Sequence, residues 1–177
     1  DLGVRIESLN DNNKAPLKIY PGYDGGEADI LGSISSQFIS SILISAPLSK
    51  KGVELEVYPE FVSKPYVDMT ISILEKFGIA IGEDTYQIHE TCKKEHTDCL
   101  GVKFNVKPQK YIASDYIVEG DFSSASYLLA ATAISGGYVR VENLFGDSKQ
   151  GDKFILDILE EMGANVTQFD DYASLRS

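Results

Sequence analysis

The sequence predicts an α/β (α+β) protein built from repeated β-α-β-α-β-β units, with the repeat truncated at both ends. Three observations lead there. Short runs with strand character alternate with longer runs whose apolar residues return every three or four positions. The same order of runs starts a second time, with Ser123 standing 88 residues after Ser35 in a matching stretch. The composition, 43% apolar and 24% charged, is that of a globular chain and not a disordered one.

The elements follow in order. "LGVRIESLN" and "PLKIYPG" read as the tail of an earlier unit, entered at a helix-ending Gly3. "GGEADILG" is a strand that leads into the helix "SISSQFISSILISAPL", where Phe38, Ile42, Leu43 and Ala46 fall at helical spacing. Pro47 and the polar "SKKG" end that helix. "GVELEVYP" is the next strand and "KPYVDMTISILEKFG" the next helix, with Val67, Ile71, Leu74 and Phe77 on one side. Pro65 suits an early helical position there and Gly78 a C′ stop. "IAIGEDTYQIHE" and "GVKFNVKP" are strands that close the unit.

The second copy runs through "DYIVEG" as a strand, "DFSSASYLLAATAIS" as a helix and "GYVRVENL" as a strand. "GDKFILDILEEMG" is its second helix, and "ANVTQF" starts a strand near the end of the sequence. "SSQFISSILISAP" lies over "SSASYLLAATAIS", and "ILEKFGI" over "ILEEMGA". A unit of this size exceeds a solenoid repeat, and helices on one face of mixed sheets are expected. The polar, aperiodic "KPQKYIASDY" sets a boundary near residues 108 to 116, dividing the chain into 1–113 and 114–177.

The net charge is −11, from 27 acidic and 16 basic residues, and only Arg5, Arg140 and Arg176 are arginines. That balance argues against a duplex nucleic-acid binder, which needs a basic face. No stretch approaches the roughly eighteen apolar residues of a membrane span. The N-terminus has neither the basic nor the apolar region of a signal peptide and reads as mid-domain sequence. There is no GxGxxG, no Walker lysine motif and no nucleophile beside a base. The acidic residues read as solvated helix surface.

Three stretches carry polar groups where helices begin. Ser35, Ser36 and Gln37 open the first helix. Serine is a favoured N-cap, and a helix N-terminus also offers unpaired N–H groups and partial positive charge to an anion. Both readings fit the residues. In "SKPYVDMT", Ser63 is either a cap or a donor to the same anion. Tyr66, one turn on, is either a packed aromatic or a ring laid against a flat ligand. Lys64 reads as a solvated lysine, and Asp68 as a complement to the helix dipole. In "EGDFSSAS", Asp121 reads as a structural N-cap, with Ser124 three residues on.

His89, Cys92, His96 and Cys99 form H-x2-C-x3-H-x2-C, a set of possible zinc ligands with tighter than usual spacing. A Cys92–Cys99 disulfide and a plain exposed hairpin loop are the other readings, with reduced thiols the default.

"GSISSQF", "SKPYVDMT" followed by "FG", and "VEGDFSSASYLLAA" followed by "QGD" resemble the 5-enolpyruvylshikimate-3-phosphate synthase family. The resemblance extends over essentially the whole chain. It implies two similar domains of three β-α-β-α-β-β units each, in an enzyme that moves the enolpyruvyl group of phosphoenolpyruvate to the 5-hydroxyl of shikimate 3-phosphate. It implies that Ser35 and Ser36 hold the shikimate phosphate, that Gln37 lies at the junction with phosphoenolpyruvate, and that Ser63 and Tyr66 belong to the shikimate-phosphate site. Glu119, Gly120 and Asp121 would serve hinge closure. The family uses no metal and no organic cofactor, and is cytoplasmic in microbes and plastidic in plants.

The chain is well under half the family's usual length. By resemblance it is an internal piece, without the basic N-terminal segment or the catalytic carboxylate region. It then holds no catalytic residue of its own and depends on the remaining segments. The related transferase acting on UDP-N-acetylglucosamine shares the fold, but neither Cys92 nor Cys99 sits in the context of its reactive cysteine loop. A folded module without a ligand site is the non-enzymatic alternative.

Overall fold

The computed structural model describes residues 2–59, 61, 63–87 and 100–177, and its contacts divide the chain into two units, Asp1–Ser114 and Asp115–Ser177. The histidine–cysteine stretch, with His89, Cys92, His96 and Cys99, lies outside the described residues.

The first unit opens with an antiparallel pair, β1 (Ile6–Ser8) and β2 (Leu17–Ile19), in which Ile6 faces Ile19. β3 (Gly26–Leu31), α1 (Ser36–Ser45), β4 (Val53–Tyr58), α2 (Lys64–Lys76), β5 (Gly82–Gln87) and β6 (Leu100–Val106) follow. The sheet order is β3-β4-β6-β5. β3 and β4 are parallel, and the other two pairs are antiparallel. The expected β-α-β-α-β-β order is therefore present in full.

Alternation along β4 and β6 turns Val53, Leu55 and Val57, with Val102, Phe104 and Val106, toward the helices. They meet Ile39, Leu43 and Ala46 of the α1 region and Val67 and Leu74 of α2. The Phe61 ring stands edge-on to Phe104, with centroids 6.4 Å apart. One expectation needs correction: Phe38 is 53% exposed, and Ile39 is the fully buried residue. α1 carries apolar side chains at 38, 39, 42, 43 and 44. More than one helical stripe can be drawn through them, and packing on β4 selects the one through Ile39, Leu43 and Ala46.

The second unit contains α3 (Phe122–Ser135), β7 (Tyr138–Glu142), a 3₁₀ turn Gly151–Phe154 leading into α4 (Ile155–Glu161), β8 (Asn165–Gln168) and β9 (Tyr172–Arg176). Its sheet order, β7-β9-β8 with both pairs antiparallel, reproduces β4-β6-β5 of the first unit. The repeat extends to the helix ends. The N–H of Ile79 bonds the carbonyl of Leu74, and that of Ala164 the carbonyl of Leu159, each at 3.0 Å around a glycine with positive φ (Gly78, Gly163). These are two copies of one glycine-based C-terminal cap. Phe122, Leu129, Leu144 and Leu175 anchor a core of this unit's own residues.

"ANVTQF" forms the expected strand as β8 and is followed by a further strand, β9, paired antiparallel to it. One expectation changes here. "DYIVEG" forms no strand: only Gly120 reaches the end of β7, donating to the carbonyl of Asn143 at 2.6 Å, while the Asn143 amide holds the carbonyl of Val118 at 2.9 Å. Asn143, the residue after β7, has φ +62°. Among the described residues no helix is long and apolar enough to cross a membrane.

Phe104 fills the first core and none of the second. Phe104→Ala is expected to cost the first unit about 3–5 kcal/mol. Amide hydrogen exchange should accelerate across β4 and β6 and stay unchanged in α3 and β9.

Candidate functional site

The parallel pairing of β3 and β4 is in register from Gly26↔Val53 to Leu31↔Tyr58. Both strands therefore end at the same edge of the sheet, and each is followed by a helix that starts there. Carboxyl ends of parallel strands are where α/β sheets receive ligands. Gly32 closes the approach. Its N–H points to the carbonyl of Tyr58 at 3.3 Å, and a Cβ at this position would stand 2.7 Å from that oxygen and 3.0 Å from Phe61 Cα. The loop before α1 and the loop before α2 thus meet backbone to backbone. Further along, the Ser40 and Thr70 hydroxyls bond at 2.8 Å and tie the two helices together.

Ser35 is the N-cap of α1, and its hydroxyl accepts from the N–H of Gln37 at 3.2 Å. Capping uses the oxygen lone pair and leaves the hydroxyl proton for an outside acceptor. Ser36, half-buried, makes no side-chain hydrogen bond among the described residues, and Gln37 is exposed. Ser63 occupies the cap position of α2 but does not cap. Its φ of +68° is left-handed, and its hydroxyl bonds no helix N–H. Tyr66 is 43% exposed in the first turn, and its N–H bonds the carbonyl of Ser63 at 3.1 Å. Neither α1 nor α2 has an acidic residue in its first turn.

Two neighbouring residues depart from expectation. Lys64 is not a freely solvated lysine: it reaches Asp68 at 2.6 Å and Glu83 at 3.1 Å. Asp68 lies beyond the first turn and pairs with Lys64, so it does not complement the dipole.

The N-terminus of α3 is arranged differently. Asp121 accepts from the N–H groups of Ser123 and Ser124, each at 3.1 Å, and from the Ser124 hydroxyl at 2.5 Å. The Ser124 hydroxyl, with the backbone N–H groups of Ser124 and Ser123 behind it, holds this carboxyl below the usual aspartate range against a smaller cost of desolvation. Asp152 takes the Ser123 hydroxyl at 2.5 Å. Gln150 accepts from the N–H of Phe122 at 2.9 Å and donates to the carbonyl of Gly120 at 2.8 Å. Two carboxylates thus occupy the end that α1 and α2 leave without acid. The sequence alone gives Gln150 of "QGD" no role, because its partners Phe122 and Gly120 lie about thirty residues away.

The outer face of the first sheet holds a cavity of about 180 Å³ lined by Glu27, Asp29, Glu54 and Glu56 among others. Lys103 pairs with Glu54 there, and the Tyr86 hydroxyl bonds Glu56. This corrects the view of the acids as helix surface, and so acid-lined a face repels phosphate. Among the described residues no histidine, cysteine and carboxylate group is placed to hold a metal.

Repeated β-α-β-α-β-β units with two acid-free helix starts at one strand edge define the class of fold and site. Residues 1–176 match the family model described as EPSP synthase (3-phosphoshikimate 1-carboxyvinyltransferase). The chain belongs to that family. Proteins named 3-phosphoshikimate 1-carboxyvinyltransferase from Methanobrevibacter smithii, Methanothermobacter thermautotrophicus and Yersinia pestis are similar to it. They are 57%, 45% and 41% identical over 99%, 99% and 96% of this chain. The chain spans 40%, 38% and 37% of those proteins, about two-fifths of the relatives' length.

Gly32→Ala should push the two loops apart at a cost of about 1–3 kcal/mol. Thermal unfolding reads the cost, and NMR should show the amides of residues 35–37 and 63–66 moving together. The Asp121 cap predicts an acid dependence. A carboxyl whose folded pKa is depressed stabilises fully above the unfolded value, about 4, and the contribution is lost as pH falls through the lower folded value. Melts of Asp121→Asn from pH 7 down to pH 2 should therefore show the wild-type advantage at neutral pH shrinking below pH ~4.

Proposed function

We propose that this chain supplies the shikimate-phosphate half-site of an enolpyruvyl transferase. In the complete enzyme the 5-hydroxyl of shikimate 3-phosphate adds across the C2=C3 bond of phosphoenolpyruvate: its oxygen bonds C2, a proton is delivered to C3, and the hydroxyl proton passes to a base. Loss of phosphate from C2 and of a proton from the C3 methyl of this tetrahedral intermediate then restores the double bond as the enolpyruvyl ether. Ser35, Ser36 and Ser63 donate to the 3-phosphate, Tyr66 lies against the ring, and Gln37 stands between the two substrates. The observation that carries the reading is the pair of acid-free helix N-termini, each led by serine and set at one strand edge. Membership in the family supports it.

The reading assigns this chain binding and not proton transfer. The proton-transfer groups and most substrate-facing cations belong to the remaining polypeptide, so the 177 residues alone turn over no substrate. Glu119, Gly120 and Asp121 follow the unit boundary, and we assign them to domain closure, which excludes water from the reacting groups. No metal, organic cofactor, nucleic acid or membrane enters the scheme, and its setting is the cytoplasm.

Ser36 separates this reading from capping, because its hydroxyl caps nothing. In the full-length polypeptide, Ser36→Ala should weaken shikimate 3-phosphate binding about 10- to 100-fold, the range for one hydrogen bond to a charged group. Its melting temperature should be unchanged. Ser35→Ala should lose both affinity and about 0.5–2 kcal/mol of stability. Calorimetric titration showing wild-type affinity in Ser36→Ala would refute the assignment.

A further inference from the structure

Lys64 stands between Ser63 and Pro65 at the start of α2, where a cation invites assignment as a phosphate ligand. Its surroundings give it another task. The ammonium donates to Asp68 Oδ1 at 2.6 Å on its own helix and lies 3.1 Å from Glu83 Oε1 on β5. The three side chains are 37%, 36% and 34% exposed, so water does not fully screen them. Burial works against the charge, yet the two carboxylates outweigh it and hold Lys64 above the usual lysine range. A cation shared by two carboxylates has little field left for a third anion.

The strand that carries Glu83 makes the contact informative. In the order β3-β4-β6-β5, β5 is the edge strand farthest from β3, and α2 follows β4. The Lys64–Glu83 pair therefore fastens the first turn of α2 to an element other than its parent strand. That turn lacks the usual fastening, because Ser63 sits at positive φ and its side chain does not cap. The conformation that frees the Ser63 hydroxyl for a ligand also removes the local means of holding the helix start in place.

We propose that Lys64 is a positioning residue: by bridging Asp68 and Glu83 it fixes the first turn of α2 and so sets where Ser63 and Tyr66 stand, without itself touching the substrate phosphate. The proposal rests on the reading of Ser63 and Tyr66 as shikimate-phosphate groups.

The test uses steady-state kinetics of the full-length polypeptide for both substrates, with Lys64→Met, Glu83→Gln, the double variant and Lys64→Arg. Lys64→Met and Glu83→Gln should each raise KM for shikimate 3-phosphate about three- to tenfold, and the double variant no more than the worse single, as coupled partners do. kcat and KM for phosphoenolpyruvate should stay within about twofold, and Lys64→Arg should restore the wild-type KM. A phosphate-binding lysine predicts the opposite sign for Glu83→Gln, because freeing the ammonium would lower KM. That result, or an unchanged KM in Lys64→Met, overturns the proposal. Glu83→Gln keeps the side-chain shape on an edge strand and guards against loss of fold.

If the wild-type polypeptide transfers no enolpyruvyl group, the functional reading fails and the strut is still tested by NMR of this chain. Lys64→Met and Glu83→Gln should move the Ser63 and Tyr66 amides in the same direction. Disagreement between the two variants overturns the positioning role.

Discussion

The in-register parallel pairing of β3 with β4 is the constraint on which the site depends. A register slip of one residue would turn Val53, Leu55 and Val57 out of the core. It would also move the start of α2 by more than 3 Å relative to the start of α1. The apolar alternation that builds the core therefore also aligns the two helix starts. Gly32 adds the second condition, since backbone contact between the loops leaves no room for a side chain. Burial of apolar side chains and presentation of polar ones are consequences of a single pairing.

The three helix starts share sequence features but differ in charge. Ser-Ser pairs stand at the beginning of both α1 and α3, and the alignment of the repeat places them over each other. α3 meets its N–H groups with Asp121 and Gln150 and adds Asp152. α1 meets one of its own with the Ser35 oxygen and presents no negative charge. A helix N-terminus already serving a carboxylate has little attraction left for a phosphate. One supersecondary unit can therefore be a binding element in one copy and a structural element in the next, with the N-cap residue as the difference.

The repeat was readable because strand alternation and helix period are local properties, and because glycines mark both helix ends. The limits of that reading were also local. Which stripe of α1 faces the sheet depends on β4: helical spacing alone admits Phe38, and the packing buries Ile39 instead. "DYIVEG" has strand composition, but composition does not secure pairing, and only its last residue, Gly120, bonds the backbone at the end of β7. Ser35, Ser36, Gln37, Ser63 and Tyr66 could be located at helix starts from sequence. That their loops meet at Gly32 could not, because the contact joins segments separated by a strand and a helix. The roles of Lys64 and Gln150 were hidden for the same reason: their partners Glu83 and Gly120 are distant in sequence.

A net charge of −11 first suggests a protein that repels phosphates. The structure removes the conflict by position. Glu27, Asp29, Glu54 and Glu56 gather on the sheet face turned away from the helices, where Lys103 and Tyr86 engage two of them. Asp68 and Glu83 lie nearer the candidate site but are joined to Lys64. Exposed charges more than about 8–10 Å apart are largely screened at physiological salt, so what an anion meets is decided by the groups nearest to it. Among the described residues at the edge where α1 and α2 begin, those groups include N–H dipoles and hydroxyls, with the one cation, Lys64, already joined to two carboxylates. Part of the negative charge therefore lies on the outer face of the sheet, while the first turns of α1 and α2 carry no acid.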